Sequence, residues 1–311
     1  MATGAVGRFL ELVGVELPVV NAPMGGVAGG ALAAAVTAAG GLGFIGGGYG
    51  DLAWVDRELD AAAGRRVGVG FITWAVPDLG AAIAHVVGRG VSDVFLSFGD
   101  PSPHVPTIHG LGARAWCQVQ DLDAARRAIE AGAEVLVAQG SEAGGHGRDR
   151  IGRDQILPEV IAMAADRPVL AAGGIGSPAD AQRAIHAGAA GVVLGTRLYA
   201  SHEALDTAPA KQELVRRTAA ETVRTSAFDV LRGPEWPEGF DGRAVRNDTV
   251  REWEADEAGV RAQRSDARAR YKAAVAADDM TRRVVWAGTS IDAVDAIEPA
   301  ADIVRRFAGI G

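Results

Sequence analysis

Cysteine is almost missing from this chain: Cys117 is the single one in 311 residues. One thiol excludes an intrachain disulfide framework and any cysteine-cluster metal site, and it fits a reducing compartment. Lysine is nearly as scarce. Lys211 and Lys272 are the only two, so residues 1–210 offer no Schiff-base nucleophile for aldolase or pyridoxal-phosphate chemistry. Positive charge is in deficit. A net charge of −8 argues against a broad surface for nucleic acid or an anionic membrane. Long hydrophobic runs are absent too, because glycine breaks the apolar stretches before they reach bilayer length. The opening MATGAVGRFLELVGVELP lacks the basic start and long apolar core of a secretory signal. These absences leave a cytoplasmic chain with no membrane or nucleic-acid partner.

What the chain has in plenty is short apolar runs bounded by glycine and proline. Four segments share one plan: TAAGGLGFIGG (37–47), GRGVSDVFLSF (88–98), EAGAEVLVAQG (130–140) and HAGAAGVVLGT (186–196). In each, an Ala-rich, helix-like approach ends near a glycine, the usual left-handed cap, and a β-branched run follows. Runs of this length read as fully buried strands. They number eight, at 19–23, 43–47, 67–72, 93–98, 113–119, 135–140, 168–173 and 191–195. Strand–helix alternation repeated eight times predicts a parallel sheet. Eight units in about 200 residues fit an α/β fold of the (β/α)8 TIM barrel type, with a doubly wound open sheet as runner-up. Residues 1–205 would form that barrel. Residues 206–286 read as a small, charge-rich helical subdomain after strand eight, free of strands and interrupted by the Pro/Gly loop RGPEWPEGFDGR. Residues 287–311 read as a closing segment that returns to the barrel.

Motifs place chemistry on this frame. GLGFIG (41–46) spells G-x-G-x-x-G, but a helix precedes it and its glycines flank a strand, so it is no dinucleotide fingerprint. The segment PVLAAGGIGSPADAQRAIHAGAAGVVLGTRL carries more weight, with glycine-rich ends on the seventh and eighth strands. Phosphate-binding barrels use these two loops and a nearby helix N-terminus. Backbone N–H groups at Gly173-Gly174 and Gly195-Thr196 would hold the phosphate, and Ser177 and Asp180 read as helix caps. Asp100, Asp121 and Glu142 follow three successive strands. Yet Asp100 opens a Pro-rich turn and Asp121 or Asp123 is a natural helix cap, so no metal site is expected. Among six histidines, His146 stands apart. QGSEAGGHG (139–147) puts it beyond the sixth strand's C-terminal end, where barrel enzymes gather catalytic groups. The glycine pair before it clears space for something flat or bulky. His104 and His109 fall in a long loop after the fourth strand, and Trp74, just past the third, is a candidate cover for an apolar substrate.

NAPM at strand one, AQGSEAGGHG after strand six, AAGGI at strand seven and GAAGVVLGTRL at strand eight together resemble the nitronate monooxygenase family, once called 2-nitropropane dioxygenases. The resemblance covers residues 17–202, and the later WP…GR…RN…W pattern and WAG (286–288) are similar as well. The glycine-histidine segment is shared with the flavin-dependent enoyl-acyl-carrier-protein reductase. The strand-seven and strand-eight motif is shared with inosine monophosphate dehydrogenase, which needs a catalytic-loop cysteine, whereas Cys117 falls within predicted strand five.

The resemblance implies FMN at the barrel mouth. On it, Ala22, Pro23 and Met24 would lie against the isoalloxazine, and Gln139, Gly144 and Gly145 would border the ring. Gly173, Gly174, Gly195 and Thr196 would hold the phosphate, and His146 would face the reactive edge. Two positions depart from the family. Many members carry Asn at the end of strand three, where this chain has Gly70 or Phe71. Some carry Lys on strand five, where Gln118 is offered instead to the flavin N1–C2=O edge. The implied reaction oxidises a small-molecule alkyl nitronate, or a nitroalkane, with O2 to a carbonyl compound and nitrite. His146 would hydrogen-bond the nitro group, or take the α-proton of a neutral nitroalkane. The alternatives are an FMN-dependent enoyl-thioester reductase using NAD(P)H and a non-catalytic flavin- or phosphate-ligand binding protein. The oligomeric state stays open.

Overall fold

The computed structural model describes residues 4–148, 151–233 and 236–310; the first three residues, Asp149 and Arg150, Pro234 and Glu235 of the Pro/Gly loop, and Gly311 of the closing segment lie outside the described residues. The eight expected strands all form, each within a residue or two of its expected place. They are β1 (Val19–Asn21), β2 (Phe44–Gly48), β3 (Gly68–Ile72), β4 (Asp93–Ser97), β5 (Arg114–Val119), β6 (Val135–Gln139), then, after a short strand β7 (Gly145–Gly147) outside the barrel, β8 (Val169–Ala172) and β9 (Gly191–Leu194). All pair in parallel, in the order β1-β9-β8-β6-β5-β4-β3-β2. That consecutive order is a barrel, not a doubly wound sheet.

The barrel closes between β1 and β2 on a thin seam, a single bridge from Val20 to Leu42. Asn21 completes it. Its fully buried amide donates to the Phe44 carbonyl and accepts from the Phe44 N–H, both at 2.8 Å. A side chain thus stands in for the missing ladder, and each of these bonds contributes about 1 kcal/mol.

The strands are buried on both faces, which is why they read as unbroken apolar runs. Inside the barrel, Phe44, Phe95 and Trp116 pack ring to ring at 5.1–6.3 Å. The helix Ala5–Val13 plugs the N-terminal end, with Phe9 edge-on to Trp116 at 5.9 Å. Asp93 is fully buried at the start of β4, bonded to Arg66 (2.7 Å), Arg114 and the Trp116 Nε1 (3.0 Å). Burial pushes its carboxyl pKa up, but the Arg114 and Arg66 charges outweigh this and leave it below the ordinary value. A packed, ion-paired N-terminal end leaves the opposite, C-terminal face to carry the site.

The region after β9 is mostly helical, but the expectation that it holds no strands is corrected. β10 (Thr222–Thr225) and β11 (Asp241–Val245) form, and β11 pairs antiparallel with β10 on one side and β7 on the other. TVRT and DGRAV lack the apolar, glycine-bounded signature of the barrel strands. They become strands because each finds an edge to pair with. Gly242 sits opposite His146 in this register. A separate small core of Phe228, Leu231, Ala244, Val250, Ala267 and Tyr271 holds the region together. The closing segment does return to the barrel. Thr289 N–H donates to the Glu142 carbonyl at 2.9 Å. Glu298, pulled down to about 2 by Arg306 and Arg197, ties the helix Ala300–Arg306 to the turn after β9. Among the described residues no helix is long and apolar enough to cross a membrane.

Candidate active site

A cavity of about 190 Å³ opens at the C-terminal ends of the barrel strands. Ala22, Pro23 and Met24 enter it after β1, Gln118 from β5 and Gln139 from β6. Gly144, Gly145 and His146 come from the loop after β6, Gly173 and Gly174 from the end of β8, and Gly195 and Thr196 from the end of β9. The structure therefore brings every candidate site residue to one cavity.

One half of the wall is main chain. Gly173 and Gly174 turn the chain at φ 98° and 67°, the left-handed region that other side chains resist. Gly195 caps the single turn Thr196–Tyr199, whose first N–H groups have no partner within the turn. A Cβ at Gly195 would meet nothing nearer than the Ala22 Cβ at 3.9 Å, so its bare face looks into open cavity. The Thr196 hydroxyl accepts from Gly288 N–H at 2.9 Å, so the closing segment is fastened here as well. Gln118 has a buried Nε2 with no hydrogen-bond partner among the described residues. An unmet buried donor costs about 1–3 kcal/mol. These residues fit a cofactor with a phosphate at one end and, at the other, a flat ring whose carbonyl oxygen would accept a hydrogen bond from Gln118 Nε2.

Two glycines have reasons the sequence did not show. Gly144 was expected to make room for a flat group. A Cβ there would instead strike the Ala287–Gly288 backbone, coming 2.6 Å from the Ala287 carbonyl carbon. A Cβ on Gly288 would in turn meet Glu142 O and Gly144 N at 2.5 Å. Gly144 is there so that two chain segments can cross. Gly70 lies under Pro23: a Cβ on it would come 2.6 Å from the Pro23 Cγ. The loop after β1 can lie flat over the barrel mouth for that reason.

The other half of the wall is side chain, and its centre is His146. Its Nε2 lies 2.8 Å from Asp229 Oδ1, with both side chains largely buried. The Trp236 ring stacks on the imidazole at 3.6 Å and 3° between planes. Trp286 sits tilted at 4.9 Å and Phe98 edge-on at 6.5 Å. Trp236 donates its Nε1–H to the Tyr49 hydroxyl at 3.2 Å. Phe98 holds φ 60°, unusual for a bulky residue. That backbone turns its ring towards Trp236 and Phe240, at 5.1 and 5.9 Å. Burial pushes the His146 pKa down, Asp229 pushes it up without cancelling the fall, and Arg232 and Arg224 push it down further. The imidazole is therefore neutral near pH 7, with one nitrogen free to accept a proton.

Gln139 orders the segment. Its Nε2 donates to the His146 carbonyl at 3.2 Å and its Oε1 accepts from Gln120 at 3.1 Å. Arg224 and Arg243 reach from β10 and β11 to the Ser141 carbonyl. The three candidate carboxylates have structural work: Asp121 caps a helix through Ala124 N–H (2.7 Å), Asp100 accepts from Ser102 N–H (3.0 Å), and Glu142 accepts from Arg153 N–H (2.9 Å). No metal-holding cluster of His, Cys, Asp and Glu occurs among the described residues. Ser177 and Asp180 form a reciprocal capping box. His104 stands at the N-cap of the short helix Val105–Gly110 and His109 in its last turn, rather than in a long loop, and His109 pairs with Glu134 at 2.9 Å. Trp74 stands behind Trp236, edge to face at 5.4 Å, and does not line the cavity. Sequence reasoning missed Asp229, Trp236, Trp286 and Phe98. An acid set inside the apolar AFDVLR was the available signal for Asp229.

The profile of the nitronate monooxygenase family matches residues 7–64 and 72–308. The nitronate monooxygenase npaC of Metarhizium robertsii is 37% identical, over 78% of this chain and 75% of its own length. A nitroalkane oxidase from Streptomyces ansochromogenes superposes with a TM-score of 0.80 at 30% identity, covering 97% of this chain and 96% of that one. A FabK from Thermotoga maritima superposes with a TM-score of 0.84, covering 99% and 96%, and at 24% identity it speaks for the fold.

Proposed function

The chain belongs to the nitronate monooxygenase family and is an oxidoreductase; from that premise we propose that it binds FMN at the barrel mouth and oxidises alkyl nitronates with O2 to a carbonyl compound and nitrite. The observation that carries this reading is a buried histidine, held by Asp229, lining the same cavity as the glycine-rich strand ends. Gly173, Gly174, Gly195 and Thr196 would hold the phosphate through main-chain N–H groups. Ala22, Pro23 and Met24 would lie against the ring, Gln139, Gly144 and Gly145 would border it, and Gln118 Nε2 would donate to its carbonyl edge. Bound FMN supplies the electron acceptor that the side chains lack.

His146 orients the substrate. The nitro group of a nitronate is an anionic acceptor, and the imidazole would hydrogen-bond it once its second nitrogen also carries a proton. With a neutral nitroalkane, the same ring takes the α-proton, because burial has kept it unprotonated. Phe98, Trp236 and Trp286 exclude water around the reacting carbon and favour a compact apolar substituent. The lone thiol of Cys117 is buried in the barrel wall, where burial pushes its pKa up and leaves it inert. A cytoplasmic setting suits it.

Two measurements test the reading. Mass spectrometry of the released cofactor should show FMN; FAD, or a protein that stays colourless after incubation with FMN, overturns the cofactor. Anaerobic mixing with ethylnitronate should bleach the flavin absorbance, and admitting air should release nitrite. Bleaching by NADPH with no response to ethylnitronate would move the assignment to an enoyl-thioester reductase. Silence towards both would leave a flavin-binding protein.

A further inference from the structure

Asp229 touches the site and the reaction so far gives it nothing to do. Resting on the reading of His146 as proton acceptor, we propose that Asp229 is a positioning residue: its carboxylate fixes the imidazole and keeps the proton on Nε2, so that Nδ1 is the atom that takes the substrate's proton.

The geometry is specific. Asp229 Oδ1 lies 2.8 Å from His146 Nε2, and the two residues come from segments 83 positions apart. Asp229 belongs to the helix Ala227–Arg232, whose neighbours in sequence are apolar and buried. A carboxylate in such a place is costly unless it is paired. Its one hydrogen bond among the described residues goes to His146, and its Oδ2 is buried with no partner there. No cap or core network accounts for it. A neutral imidazole carries one N–H, and a carboxylate accepts but cannot donate, so the pair fixes the tautomer. Trp236, parallel at 3.6 Å, sets the plane of the ring, and Asp229 sets its rotation within that plane.

The charge balance agrees. Arg232, one turn further along the same helix, and Arg224 on β10 both weaken the base. Tyr49 and Tyr271 also face the Asp229 charge, and both phenols, raised above the ordinary value, stay protonated. Asp229 is the group that restores basicity to His146. Without it, burial and two guanidiniums would leave a weaker proton acceptor.

The test compares wild type, Asp229→Asn and Asp229→Glu, each loaded with FMN and checked by circular dichroism. Nitrogen-15 NMR of the His146 ring reads tautomer and titration without turnover. Wild type should carry its proton on Nε2. Asp229→Asn should show mixed tautomers and stay neutral to lower pH than wild type, and Asp229→Glu should recover most of the wild-type signal. In kinetics, Asp229→Asn should lose roughly 10–100-fold in kcat/KM for a neutral nitroalkane, a fraction of what a whole general base contributes. It should change by less than about threefold for the matching nitronate, which has no α-proton to remove. An unaltered tautomer and titration in folded Asp229→Asn overturns the proposal, as does an equal fall for both substrates. If Asp229→Asn does not fold, the wild-type spectrum alone decides: a His146 proton on Nδ1 rather than Nε2 overturns the proposal. If wild type oxidises neither substrate, the nitronate reading fails on its own and the NMR arm still decides the role of Asp229.

Discussion

The two walls of the cavity are made of different material. The wall at the ends of β8 and β9 is backbone: Gly173, Gly174, Gly195 and the first turn after it. The wall around His146 is side chain: Asp229, Trp236, Trp286 and Phe98, three of them from outside the barrel strands and their own loops. A phosphate is recognised by N–H groups that any residue carries, provided nothing protrudes, so that wall is built by subtraction. A proton acceptor needs a chosen side chain, a chosen tautomer and dry surroundings, so that wall is built by addition. Losing a residue should therefore cost chemistry on one wall, and gaining an atom should cost binding on the other.

The largest effect is expected on the side-chain wall. His146→Ala should lose about 10²–10⁴-fold in kcat/KM for a neutral nitroalkane, much less for the matched nitronate, and keep near-normal FMN content. Equal losses on both substrates would remove proton abstraction from the account. The pH dependence follows from the direction of the shift. Burial lowers the folded pKa of His146, so the free base survives to lower pH than in an ordinary histidine. The acid limb of kcat/KM for a nitroalkane should lie below the usual histidine range. An acid limb inside that range would contradict the burial argument. The same sign makes acid destabilising: below the unfolded pKa the unfolded chain takes up the proton first.

The glycines divide the backbone wall from its support. Gly195→Ala adds one carbon facing the open cavity. It should weaken FMN roughly tenfold or more, an effect of the size of a lost hydrogen bond to a charged group, while the unfolding midpoint holds. Gly144→Ala pushes the same carbon into the crossing with Ala287–Gly288. It should lower stability by about 1–3 kcal/mol in urea titration. If the two variants behaved alike, the split between cradle and crossing would be wrong. Gly174 is a poor test, because its φ of 67° strains any substitute whatever the ligand does.

The smallest effect concerns Phe98, whose backbone is left-handed. Phe98→Gly and Phe98→Ala lose the same ring, but only the first releases the strain. The glycine variant should be more stable by about 1 kcal/mol, read from urea midpoints. An alanine variant as stable as the glycine one would mean that the φ of 60° costs nothing.

Legibility followed the same division. The barrel strands announced themselves because a strand buried on both faces must be apolar throughout. The glycines at 173, 174 and 195 fell at strand ends where phosphate sites occur, so the motif and its place agreed. His146 was legible from its position past β6. β10 and β11 were not, since TVRT and DGRAV gain their order from pairing with each other and, for β11, with β7. Trp236 sits in a Pro/Gly loop where nothing local says which way it points. Gly144 was legible as a glycine of the cavity, but its crossing with the backbone at 287–288 was not, because that segment lies more than 140 residues away.

The sequence by itself determined the periodic alternation, hence the barrel, and the glycine-rich strand ends that meet at its mouth. Both depend on local rules: side-chain burial along a strand and backbone freedom at a turn. Only the tertiary structure decided which acid meets His146, which indole covers it, and that Gly144 admits the backbone at 287–288. Those contacts join segments far apart in the chain. A 2.8 Å hydrogen bond across 83 residues is fixed by how the whole chain packs, and no local pattern encodes it.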